Sequence, residues 1–386
     1  MAYKKRKSAF IYSNEFEKYE YPPYMPFVVK RAEKTYQLVS KLGLLDADNI
    51  KTIAPKQASR AELEKFHSPR YLDILHLAAG EKICIIDSLM GIGTLDCPVF
   101  RDMYDYSALV CGATLTGTEL ILSGEADIVF NPSGGFHHAK AAQASGFCYL
   151  NDIVLGCINL VEKGRSVLYL DLDAHHGDAV QEAFYDKKEV LTISLHESGE
   201  TLFPWTGSAD EIGAANGLGF TVNIPLPLGI DDKAYLTVFD QVVIPLTKAY
   251  DPDVIVLELG MDALAGDPLA HLSLTNNAYA EIISELLRFD KAILATGGGG
   301  YDVEKTVRGW ALAWEVLSCE EREKADFSLG MGGIMLQSSE WSGGLRDRTL
   351  PISDQKRRSL DAAVKATMEI VIKKVFSYHG IEETQL

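Results

Sequence analysis

The sequence predicts an α/β fold: a single doubly wound, mainly parallel sheet flanked by helices. Three observations carry that expectation. Short β-branched runs alternate with helical stretches along most of the 386 residues, as βαβ units require. Several runs are apolar continuously rather than alternately, the mark of strands buried on both faces of a parallel sheet. Strands also run into polar clusters instead of hairpin turns, and ligands of such sheets collect beyond the carboxyl ends of the strands.

The elements follow in order. Ala9–Tyr12 reads as the first strand and Val29–Lys41 as the first helix. Ser59-Arg-Ala-Glu62 before Leu63 is a capping box that opens another helix. Tyr104–Ser123 is helical, Asp127–Phe130 is a strand, and Asn151–Glu162 is helical again. Ser166–Leu172, Val190–Leu195 and Phe220–Ile224 are strands, and Asp231–Lys248 is the helix after them. Strand Val254–Leu259 precedes helix Asn276–Leu287, and strand Ala292–Thr296 precedes helix Val303–Leu317. Ser359–Tyr378 reads as a closing helix. No repeat, low-complexity segment or Pro/Gly/Ser linker interrupts the pattern, so residues 1–386 read as one domain.

Composition narrows the function. With 47% apolar and 24% charged residues, disordered, collagen-like and coiled-coil chains are excluded. The net charge of −17 repels phosphate backbones, and no basic stripe offsets it, so no nucleic acid is expected as a partner. Lys4, Lys5, Arg6 and Lys7 form only a short terminal cluster. The six cysteines (Cys84, Cys97, Cys111, Cys148, Cys157, Cys319) form no CxxC pair and read as reduced residues of a cytoplasmic protein. No run approaches the ~18 apolar residues of a membrane span, so no membrane partner is expected. Of nine histidines, four fall in two pairs, His137-His138 and His175-His176.

Both pairs lie at strand ends. Ser166–Leu172 runs into Asp173-Ala-His175-His176-Gly-Asp178, and Val254–Leu259 into Gly260-Met-Asp262. Asp127–Phe130 precedes Asn131-Pro-Ser-Gly-Gly-Phe-His137-His138, and Ala292–Thr296 ends in Gly297-Gly-Gly-Gly300-Tyr301. Asp173 and His175, spaced i, i+2, share a face of an extended strand end and can share a divalent ion, with Asp262 as a third ligand. Three protein ligands leave a position open, which is the catalytic rather than the structural zinc pattern. Two carboxylates and a neutral imidazole cancel the ion's charge, so His137 and His138 are expected to assist it as base, acid or electrostatic partner. Asp171 and Asp178 are available to orient them. The glycine run lacks the Lys-Ser/Thr of a phosphate cradle; it is expected to aim Tyr301 at the metal, where a phenol can donate to an oxyanion.

Together with Gly146-Phe-Cys-Tyr-Leu-Asn151, these motifs resemble the zinc-dependent histone deacetylase superfamily, its bacterial deacetylase-like and acetoin-utilisation branch in particular. The likeness spans about residues 8–320 and leaves 321–386 as a C-terminal helical extension. It implies an arginase/deacetylase fold. It also implies hydrolysis of acetyl, or longer acyl, groups from lysine side chains of a protein or peptide substrate, with release of acetate. Asp173, His175 and Asp262 match the metal ligands, for which zinc is expected and iron(II) or cobalt would also serve. His137 and His138, backed by Asp171 and Asp178, match the catalytic pair, and Tyr301 the carbonyl-polarising tyrosine. Phe147 and Phe203 match aromatic walls around the acyl-lysine stem, Gly146 a carbonyl that accepts the substrate amide, and Asp96 a rim aspartate. Arg31 and Cys148 match an inner channel. Potassium is implied at Asp171, Asp173, His175, Ser194 and Leu195, and at Phe184, Lys187, Val190 and Phe220.

Met25, Phe136 and Trp205 depart from the usual residues at the rim and inner wall. Arginase-like two-metal enzymes share the fold, but their extra aspartates are replaced by Gly177 and Gly260. Acetylpolyamine hydrolases place a carboxylate near the tunnel mouth, where this chain has Leu269. Loss of catalysis to leave a mere acyl-lysine binding module would remove a ligand or the tyrosine, and all are present.

Overall fold

The computed structural model describes residues 6–80, 89–319 and 344–382. Lys4, Lys5, Cys84 and residues 320–343 and 383–386 of the expected extension lie outside them. The strands are β1 (Ser8–Ile11), β2 (Ile50–Ile53), β3 (Ile128–Asn131), β4 (Val167–Asp171), β5 (Val190–Glu197), β6 (Thr221–Leu226), β7 (Val254–Glu258) and β8 (Ala292–Thr296). They form one sheet in the order β2-β1-β3-β8-β7-β4-β5-β6, and every pairing is parallel.

The continuous apolar runs are explained by burial on both faces. In β4, Leu168 and Leu170 join one core cluster while Val167 and Tyr169 join the other. In β7, Ile255 and Leu257 face the first cluster and Val254 and Val256 the second. Helices Arg31–Lys41, Asn276–Leu287, Val303–Ser318 and Asp354–Val375 contribute to the first cluster; Pro69–Ala79, Met103–Leu122 and Asp152–Glu162 contribute to the second.

The strand order positions the site. β3, β8, β7 and β4 are the four central neighbours, and the polar motifs follow these four strands. Their last residues align across the sheet, Asn131 beside Thr296, Thr296 beside Glu258 and Glu258 beside Asp171. Motifs far apart in sequence thus leave the sheet at one level.

Some elements differ from the expectation. β2 was not expected: its sequence Ile-Lys-Thr-Ile is an edge strand with two exposed residues, too short and too polar to show a period. Helix Pro69–Ala79, opened by Ser68 and proline at its first turn, and the short helix Asp178–Phe184 were also not expected. The expected helix Asp231–Lys248 is divided by a π-helical turn, Phe239–Val243, and ends at Tyr250. The closing helix starts at Asp354, earlier than expected, because Ser353 caps it and its first turns are charged.

Candidate active site

Beyond β4 and β7, three ligand-bearing residues converge. His175 Nδ1 lies 3.1 Å from Asp173 Oδ1 and 2.9 Å from Asp262 Oδ2. The ligand atoms of the three all lie within 4.8 Å of one another, and all three residues are buried. Backbone amides fix both carboxylates: Gly299 N donates to Asp173 Oδ2 at 2.7 Å and Ala174 N to Asp262 Oδ1 at 2.8 Å. Burial and then the charge of Asp173 push the Asp262 carboxyl up to about 7. Burial opposes charge on His175, but hydrogen bonds to Asp173 and Asp262 outweigh it and lift the imidazole to about 10. Two carboxylates and an imidazole gathered this closely, the carboxylates fixed by backbone amides, form a donor set for a single cation. Its oxygen and nitrogen donors fit a divalent ion such as zinc or iron(II).

The same crowding leaves no room for the carboxylates of a second ion. A Cβ on Gly260 would stand 2.1 Å from Asp173 Oδ2, and one on Gly177 would stand 2.5 Å from Asp171 Oδ2. An aspartate at either position collides with a residue already present.

The histidine pair sits beside this trio. His137 Nδ1 bonds Asp171 Oδ2 at 3.0 Å, and His138 Nδ1 bonds Asp178 Oδ1 at 2.8 Å. The two Nε2 atoms are 3.0 Å apart, so one donates to the other. With both Nδ1 atoms donating to carboxylates, one ring is an imidazolium and the other is neutral. Burial disfavours charge on His137, but Glu258 and Asp171 outweigh it and hold the ring well above its ordinary value. Burial and then the His137 charge lower His138 to about 4. His137 is therefore the charged partner, and the unprotonated nitrogen of the pair is His138 Nε2, which accepts from His137 Nε2.

A further carboxylate backs the pair. Glu258 Oε1 lies 3.2 Å from His137 Nδ1, and the Tyr169 hydroxyl donates to Asp171 Oδ2 at 2.7 Å while touching Glu258 Oε2. Burial, partly offset by His137, pushes Glu258 up to about 8.

The glycine run of the β8 loop delivers Tyr301. Arg31, buried between Phe27 and Trp310, donates to Gly300 O and to Gly298 O. Asp267 accepts from Tyr301 N at 2.8 Å and from Leu269 N at 2.9 Å. Burial and then Asp262 raise the Tyr301 phenol well above its ordinary value, so it stays protonated. Its ring meets His175 at 6.4 Å and Phe147 at 5.8 Å.

A cavity opens here, lined among others by His137, His138, Asp173, His175, Phe147 and Tyr301. Gly146 and Cys148 also line it, and the Cys148 thiol donates to Gly146 O. Asp96 accepts from Gly146 N at 3.0 Å, tying its loop to the wall. Phe203 and Leu269 do not line the cavity itself. Phe203 reaches the site through ring contacts to His138 at 5.1 Å and His175 at 6.5 Å. The departures Met25 and Phe136 are buried, and Phe136 lines the cavity wall. Of the potassium positions, Asp171 and Ser194 are register partners on β4 and β5, with Leu195 next on β5. Phe184, Lys187, Val190 and Phe220 cluster instead near the other end of β5, where Lys187 N donates to Phe184 O and Thr192 N to Phe220 O.

Four polar residues escaped the sequence reading. Glu258 and Tyr169 stand inside apolar strand runs. Asp152, behind the histidine loop, accepts from Gly135 N and Phe136 N, and Asp267 holds Tyr301. A charged residue within a run buried on both faces was the available signal for Glu258.

Comparison with known proteins follows the same lines. A histone deacetylase domain matches residues 25–317. The chain is 39% identical over 284 residues to histone deacetylase 8 of Xenopus tropicalis, covering 73% of this chain and 76% of that protein. It is 40% identical over 321 residues to histone deacetylase B of Dictyostelium discoideum, covering 83% and 75%. The crystal structure of an HDAC homolog from Aquifex aeolicus superposes with a TM-score of 0.81 at 32% identity, covering 95% of this chain and 100% of that one. A crystal structure of an HDAC homolog complexed with SAHA matches with the same score.

Proposed function

The chain belongs to the histone deacetylase family and is a metal-dependent lysine deacetylase, and from that premise we propose how its residues divide the work. The substrate is an N-acetyl-lysine side chain of a protein or peptide, and the products are acetate and free lysine. The carrying observation is the convergence of Asp173, His175 and Asp262 with the His137–His138 pair and Tyr301 around one cavity.

Asp173, His175 and Asp262 would hold the metal, zinc first and iron(II) as the alternative. When bound, the ion supplies Lewis acidity toward the acetyl carbonyl and the attacking water. His138, its Nδ1–H held by Asp178, takes the water proton as the C–O bond forms. Tyr301 donates its hydroxyl to the carbonyl oxygen as negative charge develops there. His137, kept charged by Asp171 and Glu258, steadies the developing negative charge without losing its own proton. As the C–N bond breaks, His138 returns its proton to the departing lysine nitrogen.

Phe147 and Phe203 are assigned to the lysine stem, Gly146 O to the substrate amide and Asp96 to the substrate backbone at the rim. Arg31 and Cys148 are assigned to the inner end of the site, from which acetate would leave. The two backbone-carbonyl positions around β5 would hold potassium as a structural ion. Leu269, apolar at the mouth, suits an acyl-lysine stem and offers a polyamine's second ammonium no partner. Residues 1–386 act as one catalytic domain of the bacterial deacetylase-like branch, working in the cytoplasm. Among the described residues, no helix is long and apolar enough to cross a membrane. A side-by-side assay of acetyl-lysine peptide, longer acyl-lysine peptide and acetylputrescine, with metal analysis of the same sample, tests this reading. Preference for acetylputrescine would overturn the substrate assignment.

A further inference from the structure

The loop between β5 and β6 carries a feature the chemistry does not use. Phe203 points its ring at His138. Two residues on, Trp205 is 66% exposed. Its φ is 66°, a backbone region that favours glycine and that a bulky side chain seldom adopts. Such strain persists where the surroundings fix it, and here they do. Trp205 N donates to Leu202 O at 3.2 Å. His176 bonds Thr206 Oγ1 at 2.8 Å, and His196 bonds Gly207 O at 3.0 Å. The turn after β5 packs against it, since a Cβ on Gly199 would stand 2.4 Å from Thr206 O.

Glu200 adjoins that contact and is exposed. Its amide donates to Ser198 Oγ at 3.3 Å, while its carboxylate enters no ion pair among the described residues. An exposed indole on a fixed stretch of backbone, with an exposed, unpaired carboxylate on the neighbouring segment, is an acceptor for a cation. The indole face attracts a guanidinium best, because its plane stacks as well as carries charge. The net charge of −17 adds attraction for basic peptides at long range.

Resting on the deacetylase reading, we propose that Trp205 and Glu200 form a ledge at the mouth that receives a basic side chain, arginine above all, flanking the acetyl-lysine. Two residues of chain reach at most about 7 Å, so Trp205 stands within that distance of the Phe203 wall along the backbone, near enough to meet a residue flanking the acetyl-lysine. Trp205 is thus a specificity-determining residue.

The test uses the full chain loaded with zinc and three acetyl-lysine peptides that differ only in the residue after the acetyl-lysine: arginine, leucine or glutamate. The arginine peptide should exceed the leucine peptide in kcat/KM by about two- to fivefold, the range of an exposed cation–π contact. The glutamate peptide should be lowest. In Trp205→Ala the arginine-to-leucine ratio should fall toward one, and Glu200→Gln, an exposed and nearly isosteric change, should lower it and weaken its dependence on salt. Equal turnover of the three peptides, a preference for leucine, or a ratio intact in both variants would overturn the ledge while leaving the deacetylase reading in place. No turnover of any peptide would remove that reading and the ledge with it.

Discussion

Tyr301→Phe deletes one oxygen and little else. The ring keeps its contacts with Phe147 and His175, and the main chain keeps its bond to Asp267 at 2.8 Å. The hydroxyl has no hydrogen-bond partner among the described residues, so its removal leaves no buried group orphaned. The stability change should therefore stay within about 0.5 kcal/mol. The catalytic change should be far larger, because loss of one preformed oxyanion donor costs about 2.7–4 kcal/mol, or 10²–10³ in kcat. Donation strengthens as charge develops, so kcat and kcat/KM should fall together. Since burial and Asp262 keep the phenol protonated, the loss should be the same across neutral pH. Steady-state acetate release from an acetyl-lysine peptide measures the first effect, and thermal unfolding of the same preparation the second. A kcat within about tenfold of wild type at unchanged Tm would refute the oxyanion role.

Asp267→Ala removes the acceptor of both Tyr301 N and Leu269 N; mis-aiming the phenol should lower kcat by about 10²-fold, and an unchanged kcat would exclude that positioning role. Asp173→Ala should abolish stoichiometric metal retention after dialysis, read by elemental analysis, and full retention would contradict the ligand assignment. His67 supplies a pH prediction away from the metal: its Nε2 accepts from Asn151 N at 3.0 Å, and its Nδ1 bonds Lys140 O at 3.1 Å. Burial lowers it from 6.5 to about 4, so between those values the unfolded chain binds the extra proton. Stability is then full above about 6.5 and drains as pH falls to about 4, by roughly 3 kcal/mol for this group alone. A Tm flat from pH 7 to 4.5, or a His67→Asn variant with wild-type pH dependence, would contradict it.

The catalytic face was legible because its residues sit in short motifs at strand ends, where i, i+2 spacing and parallel topology already dictate convergence. Asp173, His175 and Asp262 follow two adjacent strands, and Asp171 and Asp178, read as available to orient the histidine pair, bond His137 and His138 respectively. What could not be read was support acting through tertiary contact. Glu258 faces His137 only because β7 lies beside β4 in register with Asp171, which no local pattern encodes. Asp152 and Asp267 serve backbone amides of distant loops for the same reason. β2 was hidden for a different cause: an edge strand needs neither apolar face in full, so its period disappears.

The most direct measurement is acetate release from an acetyl-lysine peptide by the chain stripped of metal and then titrated with zinc. Activity should be absent in the stripped protein and reach its maximum at one ion per chain, the number that the Asp173, His175 and Asp262 trio would hold. Full activity after stripping, or a maximum that requires two ions, would contradict the account.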